Sequence, residues 1–215
     1  MTQKNPTKRR YNSSRRQAQA LETQAQIVEV ARKLFVERGY PGTSLEAIAQ
    51  ETGVATETIY AVFGNKKSIL SRVVDVSGLG DGEPVPLSVR LQIQEIELEK
   101  NQKRQIQLFA NRIETIMERV APMYEVVRGA AKTEPDINNL LSKYLNGRMQ
   151  GMGYFYDCLT ANGPLRDGFS RQTAVEMLWT LTSAEIYNLL TVDRGLTDVE
   201  YKAWLGETLT RLLLP

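Results

Sequence analysis

Few of the side chains that carry out chemistry in proteins are present in this sequence. It has no histidine, and its one cysteine, Cys158, has neither a second cysteine to bond nor an imidazole to activate it. No Cys/His spacing suits a zinc ion, and no glycine-rich loop suits a nucleotide phosphate. Catalysis by carboxylates is left open, and the expectation is a protein that is not an enzyme and holds no metal or cofactor. The first third of the chain supplies cations and hydroxyls instead. Lys4, Lys8, Arg9, Arg10, Arg15 and Arg16 all precede the first acid, Glu22. Residues 1–75 hold 12 Lys/Arg against 7 Asp/Glu, whereas 76–215 hold 15 against 18, so a net charge of +2 conceals a front at +5 and a remainder at −3. Such a front attracts a polyanion and releases its counterions. A solvated tail that only aids solubility is the other reading of the same six cations.

The elements that must position these groups are helices. A helical pattern starts near Leu21, with Ile27, Ala31, Leu34 and Phe35 on one face, and Gly39 stops it. Thr43-Ser44-Leu45-Glu46 reads as a capping box for a helix over about 44–51, Thr43 covering a free backbone N–H and Glu46 reaching back to it. Gly53 breaks that helix, a third covers about 56–63, and Gly64-Asn65 ends it and caps a fourth from Lys66. Small Ala49 lets the second and third helices cross closely, and Gly53 sits where the tight turn favours φ > 0. Ile48, Val54, Ile59 and Val62 or Phe63 face inward to lock the pair. A helical corner with no ligand would use the same small and aliphatic residues.

The spacing Ala49-x3-Gly53-x5-Ile59 resembles the helix-turn-helix pattern. With its flanks, Phe35, Gly39, Tyr40, Thr43 and Ser44 before it and Tyr60, Phe63, Lys66, Ile69 and Leu70 after it, the stretch resembles the DNA-binding domain of the TetR family. The resemblance implies a homodimeric transcriptional regulator, in the commonest case a repressor that binds a palindromic operator in double-stranded DNA and is released by a small-molecule effector. It implies phosphate contacts from Thr43 and Ser44 at a helix N-terminus, from the Tyr60 hydroxyl, and from Lys66 and Lys67. Such contacts position the protein without reading sequence. Base reading is implied for Ala55, Thr56 and Glu57, with Ala61 one turn on, because that end of the third helix enters the major groove. Glu57 has a second reading, as a charge that favours the helix dipole. Two departures from the family pattern bear on affinity. Ala55 lies where a serine often caps the helix, which forfeits about 1 kcal/mol. Val62 lies where a histidine often precedes the phenylalanine, which shifts more of the binding to the tail and to Lys66 and Lys67.

Residues 77–86 are the richest in Gly and Pro and mark a boundary. The organisation expected is a basic flexible extension over 1–20, a helix-turn-helix module over 21–75 and a helical ligand-binding and dimerisation body over 76–215. Body helices are expected over about 87–99, 102–131 with a kink or break near Pro122, 136–162, 170–192 and 197–213, giving an all-α protein of nine or so helices. Leu178, Leu181 and Ile186, and then Leu205, Leu209 and Leu212, make apolar stripes on the last two. By analogy with the family these would build a two-fold four-helix bundle, and intrachain core is the alternative. Phe109, Met117, Tyr124, Met152, Phe155 and Tyr156 are candidate walls for a small apolar or aromatic effector, or else ordinary core. No apolar run approaches the ~20 residues of a membrane helix and no signal-peptide core is evident, so a cytoplasmic setting is expected. A helical ligand-binding or scaffold protein without DNA contact stays open on these residues, and an enzyme less so.

Overall fold

The computed structural model describes residues 13–79 and 94–215, and every regular element among them is helical. The first four helices are α1 (Ser13–Arg38), α2 (Leu45–Thr52), α3 (Thr56–Phe63) and α4 (Lys66–Leu79). Ile27, Ala31, Leu34 and Phe35 of α1 are at most 2% exposed, as the helical spacing required. The helix begins earlier than its apolar pattern, at Ser13, so residues 13–20 of the expected flexible extension are helical. The part of α1 from Arg15 to Ala20 is exposed. The remaining cations of the extension, Lys4, Lys8, Arg9 and Arg10, lie outside the described residues, as do positions 80–86 of the expected linker. Positions 77–79 continue α4.

The second part comprises α5 (Gln94–Leu98), α6 (Gln102–Ala131), α7 (Pro135–Thr160), α8 (Arg171–Leu181), α9 (Ala184–Asn188), a π-turn over Leu189–Asp193, and α10 (Asp198–Leu213). Only the end of the helix expected over 87–99 is described, as α5. Helix α6 runs through Pro122 without a break. The helix expected over 170–192 is not one helix. Thr182 turns its hydroxyl back to the Leu178 carbonyl at 2.8 Å, and Ser183, in an extended conformation, accepts from Ile186 N at 3.3 Å and starts α9. Local hydroxyl-to-backbone bonds of this kind compete with the helical ladder and here override the apolar periodicity that spans them.

Two apolar clusters result. The N-terminal one joins α1–α4 and extends into the body, because Met123, Val127 and Ala130 of α6 and Ile137 of α7 are buried in it. The larger cluster lies among α5–α10, with Phe109 of α6 and Phe155 of α7 stacked at 3.7 Å in its centre. Leu178, Leu205 and Leu209 are fully buried in this second cluster. They are therefore core residues of their own chain and not interface residues, because α8 and α10 turn their richest apolar stripes inward against the rest of the body. Leu181, Ile186 and Leu212 remain half-buried.

Candidate nucleic-acid interface

The turn between α1 and α2 is built by inward-facing polar groups. Thr43 is buried, and its hydroxyl bonds the Leu34 and Gly39 carbonyls at 3.0 and 2.9 Å, satisfying acceptors at the end of α1. It is neither the cap of α2 nor free for a phosphate, which corrects both expectations for it. The cap is Ser44, one residue on: its Oγ accepts from Ala47 N at 3.1 Å and the residue is exposed. Glu46 therefore does not close the expected box. Its own backbone N–H and the Ser44 hydroxyl instead hold its carboxyl below the usual glutamate value.

Gly53 ends α2 in the left-handed region, φ 75° and ψ 22°, where its N–H reaches the Ala49 and Gln50 carbonyls. A residue with a Cβ disfavours that conformation, so the tight turn and the glycine are one requirement. Helix α3 then crosses α2 with Ile48, Ala49 and Ile59 buried between them. Phe63 completes the inward face, and Val62 is 36% exposed. Ala55, at the cap position of α3, makes no side-chain cap. The outward side of α3 presents Ala55, Glu57, Tyr60 and Ala61, all exposed, with Thr56 half-buried beside them. Tyr60 is 51% exposed, a large aromatic ring held out from the body. Asn65 caps α4 as expected, its Oδ1 accepting from Ser68 N at 2.9 Å.

Lys66 departs from expectation. Its ammonium donates to the Tyr40 and Thr43 carbonyls, both at 2.8 Å, and lies 4.2 Å from the centre of the Tyr40 ring. Burial lowers its pKa, with Glu134 opposing. Two of its three N–H donors thus tie the start of α4 to the turn before α2, a positioning role that the sequence did not show. Lys67 is engaged differently, in a half-exposed ion pair with Asp136 of α7 at 2.9 Å. A second link to α7 is the Tyr144 hydroxyl, which bonds Asp75 Oδ1 and the Ser71 carbonyl of α4. Desolvation, followed by the Asp75 carboxylate, raises the pKa of that phenol. None of Tyr40, Asp136 or Tyr144 is evident from the sequence as a partner, since each pairing joins residues at least 23 positions apart.

In the body, Phe109, Met117, Tyr124, Met152 and Phe155 meet in one buried cluster. Tyr156 packs at its edge, with the Arg171 guanidinium 5.6 Å from its ring.

Residues 27–73 match the family model described as bacterial regulatory proteins, tetR family. Over 61 residues the chain is 39% identical to the HTH-type transcriptional regulator TtgR of Pseudomonas putida, a match covering 28% of this chain and 29% of that protein's length. The likeness of the whole fold is broader. A candidate TetR-family transcriptional regulator from Mesorhizobium loti superposes with a TM-score of 0.68 at 18% identity, over 91% of this chain and 98% of the other. The transcriptional regulator FadR from Bacillus subtilis, in complex with stearoyl-CoA, does so with a TM-score of 0.67 at 18% identity, over 86% and 96%. The architecture is thus a helix-turn-helix module on a helical body, and the match to the curated regulator is confined to that module. The N-terminal module is similar to that of tetR-family regulators over residues 27–73, and the chain as a whole shares the fold of these solved structures. Among the described residues no helix is long and apolar enough to cross a membrane.

Proposed function

We propose that this protein is a transcriptional regulator that binds operator DNA through α3, as a homodimer on a roughly palindromic site, and is released by a ligand held in the body. The observation that carries the reading is the outward row of α3: Ala55, Glu57, Tyr60 and Ala61 stand exposed around a helix whose Ile59 is fully buried. A helix anchored by one apolar face and open on the other is shaped to enter a major groove. In this reading Thr56 and Glu57 face base edges, while Ser44 and Tyr60 meet phosphates. The functional division runs between the module, residues 21–75, and the body, with the exposed start of α1 carrying Arg15 and Arg16 toward the DNA.

A single recognition helix is seldom specific enough, which favours a dimer. Its interface draws on the half-buried Leu181, Ile186 and Leu212 and on the outward Leu189, Val192 and Val199, which are 49, 72 and 65% exposed. Mass measurement in solution tests it, and a 24.3 kDa species alone at working concentration would refute the dimer. An effector is suggested by FadR, whose relative fold holds stearoyl-CoA. It can act only through different affinities for the DNA-bound and released shapes.

Selection of bound sequences from a random duplex pool tests the central claim. A two-fold motif is expected. Variants at Thr56 or Glu57 should change its bases, whereas Tyr60→Phe should weaken all sequences alike. An unchanged motif in both α3 variants would remove these residues from base reading.

A further inference from the structure

The body buries a cation that no carboxylate among the described residues pairs directly. Arg148, on α7, is 4% exposed, and its Nη2 donates to the Trp179 carbonyl at 2.9 Å and to Thr182 Oγ1 at 3.3 Å. Its guanidinium carbon lies 5.2 Å from the centre of the Trp179 ring. All three contacts are with uncharged groups. The carboxylate whose field reaches it is that of Glu185, which sits 2.8 Å from Nε of a second arginine, Arg128. Two arginines and one glutamate leave one positive charge in excess. Both Tyr124 of α6, 5% exposed, and Tyr201 of α10, fully buried, feel the field of Arg148, and neither hydroxyl has a hydrogen-bond partner. The indole N–H of Trp179 is likewise buried and unpartnered.

Buried hydroxyls and N–H groups are almost always paired, and a buried charge is nearly always compensated. Here the unmet groups come from α6, α7, α8 and α10, and a guanidinium, two phenols and an indole N–H can all donate. What such a set lacks is an acceptor with one negative charge. We propose that the body binds a carboxylate-bearing ligand, its carboxylate received by Arg148 with Tyr124, Tyr201 and Trp179 and its apolar remainder by neighbouring core residues such as Met152 and Leu178. This rests on the effector reading above and names the ligand's chemical class.

The location gives the charge a mechanical route. Tyr144, whose hydroxyl bonds α4 at Ser71 and Asp75, precedes Arg148 by one turn of α7, and Met152 follows by another. A ligand that draws Arg148 away from Trp179 and Thr182 therefore acts one turn from the tie that holds α4.

The test uses thermal unfolding of the full chain with octanoate and its neutral isostere octanamide, each at millimolar concentration. Octanoate should raise Tm and octanamide should not, since a fork-shaped guanidinium pairs with a carboxylate and gains little from an amide. Arg148→Met should abolish the octanoate shift. Tyr124→Phe and Tyr201→Phe, which remove hydroxyls that have no partner, should leave the ligand-free Tm the same or higher while weakening octanoate by about tenfold together. Equal shifts from octanoate and octanamide, a shift retained in Arg148→Met, or a lowered ligand-free Tm in the two tyrosine variants would each overturn the proposal. If Arg148→Met does not fold, the tyrosine variants decide. Duplex binding followed in parallel separates the two readings: an octanoate shift with unchanged DNA affinity sinks the effector role and keeps the site, whereas a ligand-free protein that binds no duplex sinks the regulator.

Discussion

Replacing Lys66 with methionine separates a positioning cation from a DNA-contacting one. The ammonium makes two hydrogen bonds of 2.8 Å to backbone carbonyls and lies over the Tyr40 ring at 4.2 Å. A hydrogen bond to a charged group contributes about 1.5–3 kcal/mol when buried, and a cation–π contact about 0.5–1 kcal/mol when exposed. Lys66 is only half-buried, so solvent screening reduces each bond to about 1 kcal/mol. Methionine retains the stem and loses the donors, and a net loss of about 2–3 kcal/mol follows. For a chain of this length that lowers Tm by about 4–12 °C. Urea unfolding and scanning calorimetry measure it. The salt dependence of duplex binding supplies the contrast. A lysine that neutralises a phosphate contributes about 0.9 to the slope of log affinity against log salt. The positioning role requires a lowered Tm with that slope unchanged while the variant is folded. An unchanged Tm together with a slope reduced by about one would refute the assignment and return Lys66 to the DNA.

Other outcomes follow from the same turn and from the last helix. At Gly42 an added Cβ would stand 2.4 Å from the Arg38 carbonyl oxygen, a backbone atom that cannot swing aside, whereas at Gly53 nothing lies within 4 Å and only the positive φ resists. Gly42→Ala should destabilise by about 1–3 kcal/mol through overpacking and Gly53→Ala by about 1–2 kcal/mol through backbone strain, both read by denaturant unfolding; a neutral Gly42→Ala would mean that the turn adapts. Thr43→Val keeps the shape of a buried side chain while removing its bonds to Leu34 and Gly39, and should lose about 1–2 kcal/mol with operator preference unaltered in a duplex selection. Glu200 accepts from the Thr197 backbone N–H and hydroxyl in the capping box of α10, which holds its pKa below the ordinary 4.5. A depressed carboxylate contributes stability that is present above its unfolded value and lost as pH falls through its folded one. Glu200→Gln should therefore flatten the decline of Tm below pH 4.5, and parallel Tm curves for both proteins would contradict it.

Local rules carried as far as local causes reach. The apolar face of α1, the left-handed Gly53 and the Asn65 cap each depend on residues within about two turns, and all three are legible in the letters. What escaped depends on contacts across the chain. The inward turn of Thr43 is decided by the Leu34 carbonyl nine positions back, and the engagement of Lys66 by carbonyls 26 and 23 positions back. The break at Ser183 was visible as a Thr-Ser pair, but an apolar stripe running through it pointed the other way. Arg148 had a signal of its own. It occupies the apolar stripe Leu141, Tyr144, Arg148, Met152, Phe155 and Leu159, and a cation at such a position must be paired, hydrogen-bonded or waiting for a ligand.

The corrections at the interface move in one direction, and that has a consequence for how DNA is held. Thr43 and Lys66, both expected at phosphates, act as internal braces that fix α2 and α4 relative to one another, and Lys67 is shared with Asp136. The proposed function then leaves the module Ser44 and Tyr60 as uncharged phosphate partners, and neither neutralises charge. On that reading most of the counterion release falls to cations elsewhere, and the exposed start of α1, with Arg15 and Arg16 following four more basic residues in the sequence, is where positive charge is concentrated. On the proposed reading the braces set the geometry with which α3 meets the groove, and the basic N-terminal segment sets the affinity and its sensitivity to salt. Two functions that a single row of residues was expected to perform are, in this proposal, divided between the two ends of the module.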